Sequence, residues 1–332
     1  MHYRTLGKSN LQVSALCLGT MMFGDQTGQD EAAAIVANAR AQGVNYSDTA
    51  DVYTKGASET MLGSLLKGQR RDWVLATKLG NKMSDRVNEG HYSRSWMLRA
   101  LDNSLQRLQT DHVDILYMHR DVNGMDLEEP LRAIDAMLRA GKIRYWGVSN
   151  FRGWRIAEIM RIAGQLGMPG PTVCQPYYNL LNRMPEVEIL PACDHYGIGV
   201  TSYSPVARGV LTGKYAPGQA PAEGTRAARG DKRMSETEFR EESLVIAQTL
   251  KAHAQAKGIT LAQFATAWVL AHRAVSAVIA GPRTLQQWQD YLPALDYTVA
   301  PDDEALVDSL VRPGHPSTPG FTDPAYPLNS RV

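Results

Sequence analysis

Eight short runs rich in β-branched and aromatic residues punctuate this chain, at 15–18, 44–47, 73–77, 113–117, 143–148, 172–175, 199–202 and 277–280. Between them, residues 30–42, 58–66, 94–108, 127–139, 152–163 and 186–195 place apolar side chains three and four apart, the spacing of one helix face. A strand followed by a helix of this length brings the next strand back parallel to the first, so repetition builds a parallel sheet. Eight such units favour closure over an open doubly wound sheet. The expected architecture is therefore a (β/α)8 TIM barrel, with residues 1–332 forming one domain.

After the seventh strand the order loosens. Residues 216–231 are rich in Gly, Pro, Ala and Arg, and helical pattern resumes at 243–256 and 261–272. Loops that follow barrel strands build the active site, so a long loop here reads as a lid; a disordered surface insertion is the alternative, and the sequence leaves both open. The segment 313–332 carries five prolines, which excludes regular helix and predicts irregular chain lying against the barrel.

Lys and Arg total 35 against 34 Asp and Glu, a net charge of +1, so no field over the whole protein favours nucleic acid or an anionic membrane. A small-molecule partner is expected. No apolar stretch of about 18 residues is present for a membrane span, and no leader pattern opens the chain. The three cysteines, Cys17, Cys174 and Cys193, include no CxxC and no Cys/His cluster, which predicts reduced thiols in a cytoplasmic protein; Cys174, within a strand, reads as a small buried hydrophobe. The histidines show no HExxH or paired spacing, and no metal is expected.

The chemistry concentrates where the strands end. Asp48 closes the second strand, Lys78 the third, His119 the fourth, Ser149 and Asn150 the fifth, Gln175 the sixth, and Tyr203 with Ser204 the seventh. Tyr53 follows Asp48 by five residues. A phenol with a pKa near 10 is a weak donor at neutral pH, and an adjacent ammonium that stabilises the phenolate makes it a better one. Asp48 would hold Lys78, and a neutral His119 would orient a carbonyl or alcohol oxygen. Read singly, Asp48 and Lys78 are as consistent with a buried ion pair beside a packed tyrosine. Four such residues at successive strand ends point to acid–base work.

Neither GxxxxGK[ST] nor a strand–GxGxxG–helix motif is present. Two other segments suit a phosphate-bearing ligand. The turn from Ser204 to Tyr215 holds Gly and Pro with Arg208 and Lys214, and Gly281-Pro282-Arg283-Thr284 lies between the last strand and a helix.

Taken together, Leu16-Cys17-Leu18-Gly19-Thr20, Phe23-Gly24, Asp48-Thr49-Ala50 through Tyr53, Ala76-Thr77-Lys78, Asp114 through His119, Gly147-Val148-Ser149-Asn150-Phe151 and Gln175-Pro176-Tyr177-Tyr178-Asn179 resemble the aldo-keto reductases over nearly the whole chain. The resemblance implies a TIM barrel that binds NADPH/NADP+ without a Rossmann domain and reduces a carbonyl substrate. It implies that Tyr53 is the general acid, that Lys78 and Asp48 tune it, and that His119 orients the substrate. Ser149, Asn150 and Gln175 would hold the nicotinamide carboxamide, with Tyr203 stacking on its ring. Ser204, Val206, Gly209 and Lys214 would clamp the pyrophosphate, with Arg283 and Gln287 at the 2′-phosphate and adenine end. Thr20, Met21, Asp48, Pro205, Leu211, Gly281 and Asp290 complete the implied cofactor set.

The pattern from Ser204 to Tyr215 is most similar to the broad bacterial branch that includes relatives of potassium-channel β subunits. A bulky keto compound, such as an oxidised toxin, is one substrate type that branch suggests, with Met22, Phe23 and the 216–231 loop lining its pocket. Two other functions are consistent with the same chain: a cofactor-binding regulatory subunit with little turnover, and a barrel lyase or isomerase that uses Lys78 as a Schiff base. Oligomeric state is not written in the sequence.

Overall fold

The structure is a computed structural model that describes residues 1–326. Its centre is a closed barrel of eight parallel strands: β3 (Leu16–Gly19), β4 (Tyr46–Asp48), β5 (Val74–Leu79), β6 (Val113–Met118), β7 (Ile143–Ser149), β8 (Val173–Gln175), β9 (Gly199–Ser202) and β10 (Val275–Ala280). The strands pair in sequence order, and β10 closes on β3 through Val278↔Leu16, Ile279↔Cys17 and Ala280↔Leu18. A strand buried on both faces has no need of polar alternation, which is why β5 and β10 are buried at every residue. The observed strands are the eight expected, with bounds displaced by at most two residues.

Helices α1 (Gln29–Ala41), α2 (Ala57–Leu65), α3 (Arg94–Leu108), α4 (Glu128–Arg139), α5 (Gly153–Leu166) and α6 (Ile189–Tyr196) cover the barrel. Beyond β9 come α7 (Lys232–Thr237), α8 (Glu241–Ala256) and α9 (Leu261–Ala271), and beyond β10 come α10 (Leu285–Gln289) and α11 (Pro301–Leu310). The short α7 and α10 hold too few residues for a periodic pattern to stand out. Residues 313–326 contain no helix or strand, as the prolines require; residues 327–332 of that expectation lie outside the described residues.

A two-stranded hairpin, β1 (Tyr3–Thr5) and β2 (Gln12–Ser14), was not legible in the sequence because strands of three residues carry no alternation. It closes the N-terminal end of the barrel. Leu6 and Val13 pack with the inward-facing Cys17, Tyr46, Val74, Ala76, Ile115, Tyr117, Val173, Ala277 and Ile279 to form the inner core. Gly7 makes this approach possible. Its φ is +58°, and a Cβ there would lie 2.5 Å from the Gly199 amide nitrogen. The other faces of the strands pack against the helices in a second, larger core. With one end plugged and the walls covered, the C-terminal ends of the strands are where the barrel can receive a ligand. Among the described residues, no helix is long and apolar enough to cross a membrane.

Candidate active site

The parallel register places consecutive strand ends side by side. Asp48 is level with Gly19 and Ala76, Lys78 with Tyr117, and Ser149 with Gln175. Tyr53 returns to this layer through a tight 3-10 turn, Tyr53–Gly56, in which Thr54 and Lys55 have φ of 48° and 53°. Non-glycine residues in the left-handed region cost energy and persist where surrounding structure demands them.

The four residues expected to act together do meet. The Lys78 ammonium is fully buried and uses all three donors: on Asp48 Oδ1, on the Thr49 carbonyl at 2.8 Å and on the Tyr53 phenol oxygen at 3.3 Å. The second Asp48 oxygen accepts the Gln175 side-chain amide at 2.9 Å. Burial alone would lower the Lys78 pKa, but the Asp48 carboxylate and the Tyr53 oxygen more than offset it and hold the pKa above its ordinary value. Lys78 is therefore the fixed cation of the site. His119 meets Tyr53 edge-on, with ring centroids 5.9 Å apart. Burial, then Lys78 and Arg120, push its pKa well below the ordinary value, so the ring is neutral at physiological pH. Its Nδ1 is buried without a hydrogen-bond partner.

One sequence expectation needs correction. Lys78 does pull the Tyr53 pKa down, but burial raises it by more, and the net shift is upward. In this resting arrangement Tyr53 is firmly protonated, which suits a donor of a proton more than a base.

The neighbouring polar residues form a connected set. Asn150, with φ of 59°, donates to the His119 carbonyl at 2.9 Å and to Ser149 Oγ at 3.0 Å, and accepts from the Tyr203 phenol at 2.7 Å. Ser149 Oγ donates to the Gln175 carbonyl at 2.8 Å. Tyr203, half-buried, stacks on Tyr177, with centroids 5.6 Å apart and planes 28° apart. Thr20 is buried, with Oγ1 shared between the Asp48 carbonyl and Ser58. Met21 is 40% exposed beside it, whereas Phe23 is fully buried in the outer core. Phe23 therefore does not line a pocket: its amide donates back to Thr20, and the tight turn drives the ring inward.

The turn after β9 carries positive φ at Ser204, Ala207, Arg208 and Gly209. Such backbone turns amides toward a common centre and makes an anion cradle. Lys214 belongs to it, since a Cβ on Gly209 would lie 3.4 Å from the Lys214 Nζ. Arg208 does not. Its Nη1 lies 2.6 and 2.7 Å from the two oxygens of the buried Glu238 carboxylate, so its charge is already spent. Pro205 and Leu211 are buried, and Leu211 can offer a ligand only its backbone.

At the far end, Gln287 Oε1 accepts the Arg283 amide at 2.9 Å, and Asp290 accepts from Gln286. Both are committed within the first turns of α10, and the Arg283 guanidinium is the group left to meet a ligand beside the exposed Gly281. Burial lowers the Arg283 pKa, and Arg229 and Arg226, from the 216–231 loop, lower it further. Of these, Arg226 is already paired with Asp231, so Arg283 is the guanidinium best placed to meet a phosphate. The 216–231 loop itself is a series of turns, tied by Arg226 to Asp231 at 2.9 Å, and Asp231 caps α7.

Asp51 lies in the turn between Asp48 and Tyr53. It is 1% exposed, and neither carboxylate oxygen has a hydrogen-bond partner. Burial, then the Glu59 carboxylate, push its pKa up to about 8 against the smaller pull of the Val52 amide, Arg107 and Lys78. Its position in the turn after the strand end at Asp48 gave no sign in the sequence that it would be buried unpaired. Away from the barrel mouth, His253, Asp302 and Asp303 bring ligand-type atoms within 4.8 Å of one another, and the Lys257 ammonium, 2.5 Å from Asp302 and 3.6 Å from Asp303, supplies the cation there.

Residues 15–312 match the model of the aldo/keto reductase family. A probable voltage-gated potassium channel β subunit of Oryza sativa subsp. japonica is 38% identical over 303 residues, 89% of this chain and 92% of the relative, and its counterpart in Arabidopsis thaliana matches to the same extent. An uncharacterized oxidoreductase, YrpG, of Bacillus subtilis (strain 168) is 35% identical over 337 residues, 98% of this chain and 99% of the relative.

Proposed function

The chain belongs to the aldo/keto reductase family and is an oxidoreductase, and from that premise we propose that it reduces an aldehyde or ketone to the alcohol with NADPH as reductant. The observation that carries the reading is the convergence of Tyr53, Lys78, Asp48 and His119 on one point at the mouth of the barrel.

The residues fit a nicotinamide cofactor in three places. Half-buried Tyr203, stacked on Tyr177, offers an aromatic platform, the Ser204–Gly209 turn with Lys214 offers a pyrophosphate cradle, and Arg283 offers positive charge for a 2′-phosphate. When bound, the cofactor supplies the hydride. The protein does the rest. Neutral His119 donates a hydrogen bond that fixes the carbonyl oxygen, and Tyr53 delivers its proton to that oxygen as negative charge develops there. Lys78, pinned by Asp48, stabilises the phenolate that remains, and Gln175 keeps Asp48 in place. Because the ion pair is buried, its charge acts through low dielectric and needs no reorganisation during the reaction.

Titration with NADPH and separately with NADH, read by quenching of the six tryptophans, followed by a panel of aldehydes and ketones, tests the proposal. NADPH binding with oxidation on carbonyl addition is the expected result. Tyr53→Phe should bind NADPH as the wild type does and lose about 10²- to 10⁴-fold in kcat; retention of most of the rate removes Tyr53 from the role. A second reading draws on the plant relatives, whose names describe channel subunits. A cofactor-binding regulatory subunit would bind NADPH tightly and oxidise it with none of the carbonyls.

A further inference from the structure

Among the described residues, two guanidinium groups beside the site have no carboxylate partner. Arg120 follows His119 directly, and Arg152 lies two residues beyond Asn150, so each continues a strand end that also supplies a site residue. Arg120 Nη2 donates to the Ala325 carbonyl at 3.4 Å, and Arg152 Nη2 donates to the Tyr326 carbonyl at 3.1 Å. The two cations thus converge on consecutive peptide oxygens of the C-terminal segment. The Tyr326 ring lies 5.5 Å from the Arg120 guanidinium. Arg120 follows His119, whose carbonyl accepts from Asn150, so the convergence point adjoins the residue proposed to orient the substrate.

Carboxylates near these arginines in the chain are taken. Asp121 holds Arg155 at 3.1 and 3.2 Å, and Asp323 grips Arg233 through both oxygens at 2.9 and 2.6 Å. Among the described residues, neither Arg120 nor Arg152 has an ionic partner. Arg152 also opens α5, a helix of 14 residues whose N-terminus has no side-chain cap, so the positive end of that helix adds to the same field. A guanidinium held by neutral carbonyls is well short of what it gains from a carboxylate or phosphate, where two charge-assisted bonds form in parallel.

Building on the carbonyl reductase reading, we infer that the substrate carries an oxyanion, a carboxylate or a phosphate, remote from the reacting carbonyl, which Arg120 and Arg152 bind in place of the tail carbonyls. The reacting end then lies against Tyr53 and His119 while the charged end anchors at the rim. Substrate selection on this basis acts through binding, so it shows in KM.

Three matched aldehydes test the inference: 4-carboxybenzaldehyde, 4-formylphenyl phosphate and neutral 4-methylbenzaldehyde, each followed by NADPH oxidation. The wild type should have a KM at least tenfold lower for one charged aldehyde than for the neutral one, and which one it favours distinguishes carboxylate from phosphate. Arg120→Gln and Arg152→Gln should each raise the KM of the favoured charged aldehyde about tenfold more than that of the neutral one, and Arg→Lys should recover part of the loss. Equal KM values for charged and neutral aldehydes in the wild type, or equal losses on all three in the variants, overturn the anion site. Calorimetric titration with the corresponding alcohols separates this from the underlying reading. A charged alcohol bound at least tenfold tighter than 4-methylbenzyl alcohol, with the difference abolished in Arg120→Gln/Arg152→Gln, supports the site even if NADPH is never oxidised, and then the reductase reading alone falls. Alcohols bound alike, with NADPH oxidised, leave the reductase and remove the anion site.

Discussion

Replacing Asp51 by Asn should stabilise this protein, and by an amount that depends on pH in a defined way. The side chain is 1% exposed and both its oxygens lack partners, so the folded state tolerates it as a neutral acid. Burial and the Glu59 carboxylate raise its pKa from 3.8 to about 8. A carboxyl whose pKa is raised on folding binds its proton more tightly in the native state. Its destabilising effect is absent below the unfolded pKa, grows as pH rises, and is complete once pH passes the folded pKa. At about 1.4 kcal/mol per pH unit, wild type loses as much as about 4 kcal/mol by pH 7 and about 6 kcal/mol by pH 8. Asn keeps the shape and cannot ionise. The unfolding entropy expected for a chain of this length is about 0.7 kcal/mol/K, so the variant should melt about 6 °C above wild type at pH 7. Calorimetric Tm values for both proteins between pH 4.5 and 8.5 check it. The gap should widen steadily up to about pH 8 and then level off. A gap that is the same at pH 5 and pH 8 would show that Asp51 ionises alike in both states and refute the reasoning.

Three further outcomes follow from other contacts. Lys78→Met leaves the buried Asp48 carboxylate with Gln175 alone, and should cost about 3–5 kcal/mol in denaturant unfolding as well as activity. Arg283→Leu should weaken NADPH binding by about tenfold or more while changing NADH binding little, since the charge-assisted contact is to a phosphate NADH lacks; equal losses for both cofactors would place Arg283 elsewhere. Gly7→Ala forces a Cβ to 2.5 Å from the Gly199 amide at φ +58°, and should lower the chemical-denaturation midpoint clearly, where an ordinary surface substitution stays within about 0.5 kcal/mol.

Much of the fold was legible in the sequence because a barrel repeats one local rule. Buried parallel strands are short apolar runs, amphipathic helices repeat at three and four residues, and eight alternations leave few ways to close. The same logic marked the candidate site residues, since Asp48, Lys78, His119, Ser149, Asn150 and Gln175 all stand at strand ends, where a side chain of that chemistry is out of place in a turn. The cradle after β9 was legible as composition, with Gly, Pro and basic residues in a short span.

Other features exist only once the chain is folded. Whether Arg208 is a free cation depends on Glu238, 30 residues away in sequence and in another element. Whether Tyr53 ends with a raised or lowered pKa depends on how much water is removed against how near Lys78 comes, and neither quantity is local. Asp51 and Asp48 are the same residue type three positions apart. One is paired with Lys78 and Gln175, the other is buried without a partner, and that difference is made by side chains from β5 and β8. The meeting of Arg120 and Arg152 on the tail carbonyls joins residues more than 170 positions apart. Hydrophobic period is a property of neighbours in sequence and so can be read there. Charge pairing, desolvation and convergence are set by neighbours in space, which is why tertiary structure alone decided them.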